Sequence, residues 1–142
     1  MPKKSEYERF SYTAVSVAGG VQRLRPILSV VFSTSERRIT FPCLVDSGAD
    51  INVLPYSLGL ALGLNWESTP AGPILGGKFL QTETRLIVLP TQIGKSSLVD
   101  LVFAWISVDI GPVILGQMNF FKEFNVCFLG SDDAFELARK SD

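Results

Sequence analysis

The segment "CLVDSGADINVLP", residues 43–55, carries an acidic residue directly after an apolar stretch. Residues 43–45 are typical of the end of a buried strand, which Ser47 and Gly48 then break. A carboxylate at such a position is unfavourable unless it is hydrogen-bonded, shared or ionised beside a partner. Asp46 therefore belongs either to an ordinary turn, which Asp, Ser and Gly all favour, or to a chemical site. The apolar residues on both sides of the tripeptide favour the site.

The size and composition of the chain predict one folded domain. A length of 142 residues suits a single domain. The hydrophobic share of 46% supplies a core, and the charged share of 19% is below the usual quarter, so disorder is not expected. The net charge of −1 provides no basic field, and we expect no nucleic-acid partner and no membrane surface.

The absence of histidine restricts the chemistry available to this chain. It excludes Ser-His and Cys-His nucleophile pairs and removes the commonest metal ligand. Any reaction must therefore rest largely on carboxylates, and we expect no metal and no cofactor. Cys43 and Cys127 each lie in an apolar stretch, which favours two free buried thiols over one disulfide.

The sequence contains no apolar segment of signal-peptide type and no uninterrupted apolar run of about eighteen residues. We therefore expect a soluble, cytoplasmic protein.

β-branched and aromatic residues predict a mostly β domain with one or two short helices. They dominate residues 10–17, 24–34 and 39–45, which indicates a meander of strands. Two further strands are expected in residues 98–108, apolar on both faces, and in residues 112–116.

Four further features are expected along the chain, each from its own local pattern. The segment YSLGLALGL favours a short or broken helix, because each glycine costs a helix about 1 kcal/mol relative to alanine. A second short helix is expected in QMNFFKEF, and a long hairpin with an apolar, glycine-rich tip in residues 70–89. The closing SDDAFELARKSD is either a terminal helix or a frayed tail.

The segment LVDSGADINVLP resembles the active-site loop of the retropepsin-type aspartic proteases, in which D-[ST]-G-A lies between apolar stretches. Three other segments resemble the same family in the same order: RPILSVVF before the loop, the glycine-rich GPILGGKF, and VILGQMNFFKEFNVCF after it. The resemblance extends from about Arg25 to Phe128.

The resemblance implies an all-β, retropepsin-like closed barrel or sandwich with a flap hairpin. The protease domain would cover residues 25–129. An N-terminal extension with an edge strand, residues 1–24, would precede it, and a C-terminal tail, residues 130–142, would follow it. In viral relatives both termini interlace in the dimer, so this tail would either reinforce or obstruct that interface.

The resemblance also implies a homodimer that acts on peptide or protein substrates. One Asp46 from each subunit would hold and activate a water molecule, and the two carboxyl groups would share one proton, as in other aspartic proteases. Ser47 would brace the two loops across the interface. Gly48 would permit the tight bend and the close approach of the substrate backbone.

Substrate contacts implied by the resemblance fall at six positions: Ala49, Asp50, Leu75, Gly76, Gly77 and Ile114. Leu75, Gly76 and Gly77 would form the flap tip over an extended peptide, and Ile114 would form a pocket wall beside the loop. From the residues alone, GPILGGKF is better explained as an ordinary hairpin loop, and Ile114 is equally consistent with plain core.

Two departures from the family pattern leave alternatives open. Gln117 stands where the family often has an arginine paired with the acidic residue of the loop, so Asp50 lacks that guanidinium unless Arg25 or another arginine reaches it. Asp109, followed by Ile110, lacks the bracing hydroxyl and is a poor second catalytic loop. The leading hypothesis is a dimeric aspartic endopeptidase. The rivals are a non-catalytic peptide-binding or scaffolding module and a self-processing segment of a polyprotein.

Overall fold

The computed structural model describes residues 1–76 and 82–141. Eleven strands form in these residues: β1 Glu8–Ser11, β2 Thr13–Ser16, β3 Gln22–Arg25, β4 Ile27–Ser33, β5 Arg38–Val45, β6 Asn52–Leu54, β7 Thr84–Ile93, β8 Val99–Ile106, β9 Val113–Leu115, β10 Phe124–Leu129 and β11 Ala134–Arg139. Two short α-helices accompany them, α1 Tyr56–Ala61 and α2 Phe120–Glu123. The expected all-β fold with short helices is confirmed.

Six strands close a barrel in the order β4-β5-β9-β6-β8-β7. β4 pairs with β5 and with β7, which closes the circle, and β7 pairs with β8, all antiparallel. The short strands β6 and β9 take part in parallel pairs: β9 runs parallel to β5, and β6 runs parallel to β8. β9 therefore lies between the two strands that flank residues 46–51.

The barrel interior is filled by alternating side chains. In β4, Leu28, Val30 and Phe32 point inward and are buried, as the period of two along a strand requires. β8 is buried along most of its length, because it is a central strand between β6 and β7. The largest fully buried side chain is Trp105 on β8.

A three-stranded sheet in the order β1-β11-β10 joins the two ends of the chain. Both alternatives expected for the tail, a terminal helix and a frayed end, are wrong, since residues 134–139 form the central strand of this sheet. Ala, Glu, Leu and Arg favour a helix locally, but tertiary pairing overrides that preference. Phe135 is fully buried and stacks on Phe10, with ring centroids 5.4 Å apart. Both edges of β11 are therefore occupied by strands of its own chain.

β2 and β3 form a separate two-stranded sheet, here called the N-terminal ribbon, residues 13–25. Every residue of β3 is exposed, as are three of the four residues of β2. The division of the chain into residues 1–24, 25–129 and 130–142 stays a prediction.

The glycine-rich hairpin, residues 70–76 and 82–86, packs its first arm against the start of β7. Ala71 bridges Arg85, and Leu75 bridges Thr82. The N–H of Gly72 donates to the carbonyl of Thr84 at 3.1 Å. Leu75 therefore belongs to the hairpin ladder, while Gly77, expected at the tip, lies outside the described residues.

The short helix α1 is confirmed, and its glycine has a packing reason. A methyl group added to Gly59 would overlap the indole ring of Trp105. Trp105 also stacks on Tyr56, with ring centroids 5.9 Å apart, and meets Trp66 edge to face at 4.9 Å. The absence of a side chain at residue 59 lets the helix approach this aromatic cluster.

The two thiols are free but differ in burial. Cys43 is buried and Cys127 is exposed, so the expectation of two buried thiols is wrong for Cys127. β10 is an edge strand of its sheet, and an apolar stretch of sequence on an edge strand does not guarantee burial. Burial raises the pKa of the Cys43 thiol well above its ordinary value, because desolvation disfavours the thiolate.

Gly59→Ala should lower the free energy of unfolding by about 1–3 kcal/mol, since the new methyl group displaces Trp105. Helix propensity alone predicts the opposite sign, a gain of about 1 kcal/mol. Urea denaturation measures the difference. Gly130→Ala is the control, because a methyl group there meets nothing within 4 Å. A stabilised Gly59→Ala protein would contradict this packing.

The native protein should react with a thiol reagent at Cys127 only, at pH 7 to 9. Cys43 stays protonated and inaccessible in this range, since the nucleophile is the thiolate. Counting modified thiols before and after denaturation tests this, with Cys127→Ser as the control that should leave no fast-reacting thiol. Rapid modification of Cys43 in the folded protein would contradict the buried position.

Candidate active site

The Asp46 loop, residues 46–51, connects β5 to β6 across the end of β9. Its first hydrogen bond runs from the N–H of Asp46 to the carbonyl of Leu115, at 3.0 Å, and continues the pairing of β5 with β9. The N–H of Ala49 donates to the carbonyl of Asp46 at 3.1 Å and closes the turn. The break after Val45 is therefore a tight turn that keeps Asp46 at the end of a barrel strand.

The Asp46 carboxylate is half-buried and is oriented by the turn itself. Its Oδ1 accepts the N–H of Gly48 at 3.0 Å. A Cβ at Gly48 would lie 3.3 Å from the same oxygen, so a side chain there crowds the carboxylate. Among residues 1–76 and 82–141, Oδ2 of Asp46 accepts no hydrogen bond from a side chain or backbone group. One carboxyl oxygen is thus held and the other is open to a ligand.

Ser47 is exposed, and its hydroxyl makes no hydrogen bond within the described part of the chain. Its carbonyl accepts a hydrogen bond from Nε2 of Gln117 at 2.8 Å. The bracing role expected for the hydroxyl therefore needs a group from outside this chain, while the backbone of Ser47 is braced internally.

Residues 116–118 are joined to the Asp46 loop by backbone hydrogen bonds. The N–H of Gln117 donates to the carbonyl of Ala49 at 2.8 Å, and that of Met118 donates to the carbonyl of Asp50 at 3.0 Å. A Cβ at Gly116 would lie 2.7 Å from the carbonyl oxygens of both Ala49 and Ile51. Glycine is required here because two backbones approach each other more closely than a side chain permits.

A buried asparagine, which the sequence analysis missed, fixes Gly116 relative to the Asp46 loop. Asn52 is fully buried, and its Oδ1 accepts the N–H of Gly116 at 2.7 Å. Its Nδ2 donates to the carbonyl of Val102 at 3.0 Å and to Oδ1 of Asn119 at 3.2 Å. Buried polar groups must be hydrogen-bonded, so an asparagine between apolar Ile51 and Val53 was the available signal.

Asp50 is exposed and has no ion-pair partner in the described residues, Arg25 included. The amide of Gln117, at the position where the family often has arginine, binds the carbonyl of Ser47 instead of Asp50. The loop is therefore braced through its backbone and leaves the Asp50 carboxylate open to solvent.

An apolar cluster lies beside the loop. Its buried members are Val53, Ile106 and Ile114, and Ala49, Ile51, Leu75 and Ile110 pack against them. The structure thus brings Ala49 of the loop, Leu75 of the glycine-rich hairpin and Ile114 of β9 into one apolar cluster, although they come from three distant segments. Gly76 follows Leu75 directly, and Gly77 lies outside the described residues.

Asp109 has a structural partner. Its Oδ1 accepts the N–H of Ser57 at 2.9 Å and the hydroxyl of Ser57 at 2.8 Å, in the first turn of α1. A carboxylate at this end of a helix satisfies free N–H groups. Asp109 therefore anchors α1.

Residues 1–76 and 82–141 contain no group of three or more His, Cys, Asp or Glu side chains placed to hold a metal ion. Within the same part of the chain, no helix has the length and apolar character needed to cross a membrane.

Asn52→Ala should lower the free energy of unfolding by about 2–4 kcal/mol, because it leaves the buried Gly116 N–H without its acceptor and opens a cavity. Urea denaturation measures the loss. Asn125→Ala, at a half-buried asparagine on β10 outside this network, is the matched control and should cost less than about 1 kcal/mol. Equal losses in the two variants would contradict the role of Asn52.

The chain is similar in fold to solved structures, although its sequence matches no family model. No family model and no curated protein matches the chain. Similar to it is the crystal structure of a retropepsin-like aspartic protease from Rickettsia conorii, with a TM-score of 0.61 and 16% identity over 94% of this chain and 92% of that one. EIAV protease in complex with the inhibitor HBY-793 also matches, with a TM-score of 0.46 and 22% identity over 72% of this chain and 88% of the other. The chain therefore has a retropepsin-like fold.

Proposed function

We propose that this protein is an aspartic endopeptidase that acts as a homodimer on extended, largely apolar peptides. The observation that carries the proposal is the state of Asp46: one oxygen is fixed by Gly48 and the other is open, on a loop held by hydrogen bonds on two sides. The similarity in fold to a protein described as an aspartic protease supports the same class of reaction.

The reaction requires a second copy of the chain, because the described residues of one copy offer a single carboxylate suited to catalysis. Asp109, the other candidate, is bonded to Ser57 and anchors α1. Two copies related by a two-fold axis through the Asp46 loops bring two identical carboxyl groups together. At such a separation both cannot readily be ionised, and one proton is shared between them.

In the proposed reaction a water molecule lies between the two Asp46 carboxyl groups. The ionised carboxylate accepts a proton from this water as its oxygen attacks the peptide carbonyl carbon, and the protonated partner donates to the carbonyl oxygen. The resulting tetrahedral diol then breaks its C–N bond as the amine leaves with a proton from a carboxyl group. As the C–N bond breaks, one hydroxyl of the diol gives its proton to the pair of carboxyl groups and becomes the carbonyl of the product acid, so the pair again holds one proton.

The remaining site residues receive binding roles in this proposal. Ser47, whose hydroxyl is free in the described chain, bonds across the dimer axis. The cluster of Ala49, Leu75 and Ile114 provides an apolar wall for substrate side chains. Asp50 and the hairpin residues Gly76 and Gly77 face the substrate backbone, which pairs as an added strand.

Gln117 motivates the second candidate, a peptide-binding or scaffolding module without catalysis. Asp50 lacks a cationic partner in the described residues, so the loop has less electrostatic support than the family pattern provides. Both candidates use the same apolar wall and differ only in whether the two carboxyl groups meet. A cytoplasmic location and the absence of nucleic-acid, membrane and cofactor partners stay predictions from sequence.

Asp46→Asn should reduce peptide cleavage by at least about 10²- to 10⁴-fold while the protein still folds, since it removes the acid-base group. Cleavage of an apolar peptide library at mildly acidic pH measures activity, and circular dichroism measures folding. Asp100→Asn, at an exposed aspartate on β8, is the matched control and should retain activity. A wild-type protein that cleaves no peptide, together with an Asp46→Asn variant that binds peptides as well as the wild type, would favour the scaffolding module.

A further inference from the structure

The N-terminal ribbon lacks the support that a two-stranded sheet needs. Its hydrogen bonds run between its own strands, as from the N–H of Val17 to the carbonyl of Val21 at 2.8 Å. No third strand pairs with it in the described part of the chain. An isolated two-stranded hairpin is marginally stable at best in water, and independent stability needs a third strand or a packed face.

Apolar side chains on the ribbon are left in solvent. Val21 is 55% exposed and Leu24 is 49% exposed. The outer strand β2, of sequence TAVS, carries no charge and no proline, so it lacks the usual protection of a free edge. Val21 and Leu24 are three residues apart and therefore project from opposite faces of the ribbon, which leaves an apolar side chain exposed on each face.

The base of the ribbon lies next to the Asp46 loop. The carbonyl of Pro26, directly after β3, accepts the N–H of Val45 at 3.0 Å, and Asp46 is the next residue. From strand spacing and the distance between consecutive Cα atoms, the base lies within about 15 Å of Asp46. Each strand of the ribbon, counted to the turn, spans about six residues, so the ribbon is about 20 Å long.

We propose that the N-terminal ribbon is an arm that packs on the second copy of this chain in the dimer. The inference rests on the proposed function, which brings two Asp46 loops to one axis. Any element anchored beside that loop then lies beside the axis, and a 20 Å arm is long enough to cross it.

The charges of the ribbon also favour packing on the second copy of the chain. The ribbon carries two charged side chains, Arg23 and Arg25, and neither has an ion-pair partner in the described residues. The Asp46 loop carries two acidic side chains and no basic one. An arm that crosses the axis therefore brings a basic surface toward an acidic one, which aids association at low salt.

Sedimentation equilibrium of the full chain tests the arm with three variants: Val21→Asp, Leu24→Asp and the control Leu98→Asp. Leu98 is 61% exposed, just before β8, and lies outside the ribbon and the Asp46 loop. All three variants should fold, because the replaced side chains are in solvent. We expect the dimer dissociation constant to rise at least tenfold in the variant whose face meets the second copy, Val21→Asp or Leu24→Asp, or in both if both faces are covered, and to be unchanged in Leu98→Asp.

Peptide cleavage, measured on the same samples, separates this inference from the proposed function. A ribbon variant with weakened dimerisation should lose cleavage at low protein concentration and recover it as concentration rises, since only the dimer is active. Unchanged dimerisation in both ribbon variants overturns the arm even if the wild type cleaves peptides. A raised KM with unchanged dimerisation also overturns it and assigns the ribbon to substrate. If dimerisation is weakened by the ribbon variants but the wild-type dimer cleaves no peptide, the role of the ribbon is supported and the proposed protease activity is overturned.

Discussion

The hydrogen bond from the N–H of Gly116 to Oδ1 of the buried Asn52, 2.7 Å long, holds the candidate site together. It joins the end of β9, which the Asp46 loop crosses, to the start of β6, where the loop ends. The loop can be short and tight because the strand beneath it is fixed to the strand that follows it. Without this bond the buried N–H of Gly116 would lack an acceptor, which is unfavourable. The position of Asp46 therefore depends on a side chain that need not touch a substrate.

The chain ends meet in a sheet that is complete within one molecule. β11 has β1 on one edge and β10 on the other, so its backbone is not available to interlace with a second copy. The resemblance to viral enzymes leaves open whether the tail reinforces or obstructs a dimer interface, and residues 134–139 pair with β1 and β10 of their own chain. In the proposed dimer, β11 therefore adds no strand to the second copy, and contacts between the copies would involve other surfaces. The N-terminal ribbon, anchored beside Val45 and otherwise unsupported, is the element whose position suits this task.

Much of this architecture could be predicted from local sequence. The strands around the DSGAD motif and the two short helices follow from hydrophobic period, turn residues and resemblance. The tail could not, since Ala134–Arg139 has the composition of a helix and becomes a strand only through its two neighbours. The role of Asn52 depends on the approach of the backbone of residues 102 and 116 and of the side chain of Asn119, and these distances are set by the barrel. The exposure of Cys127 likewise follows from the place of β10 at a sheet edge.

The separation of the two Asp46 carboxyl groups in the assembled protein is the most direct measurement of the central claim. A crystal structure of the protein with a bound peptide analogue would give it. The account predicts two carboxyl groups within hydrogen-bonding reach of each other or of one shared water, about 2.6–3.2 Å for each contact. Carboxyl groups that point apart in every assembled form, or a protein that binds the analogue as a single chain, would contradict it.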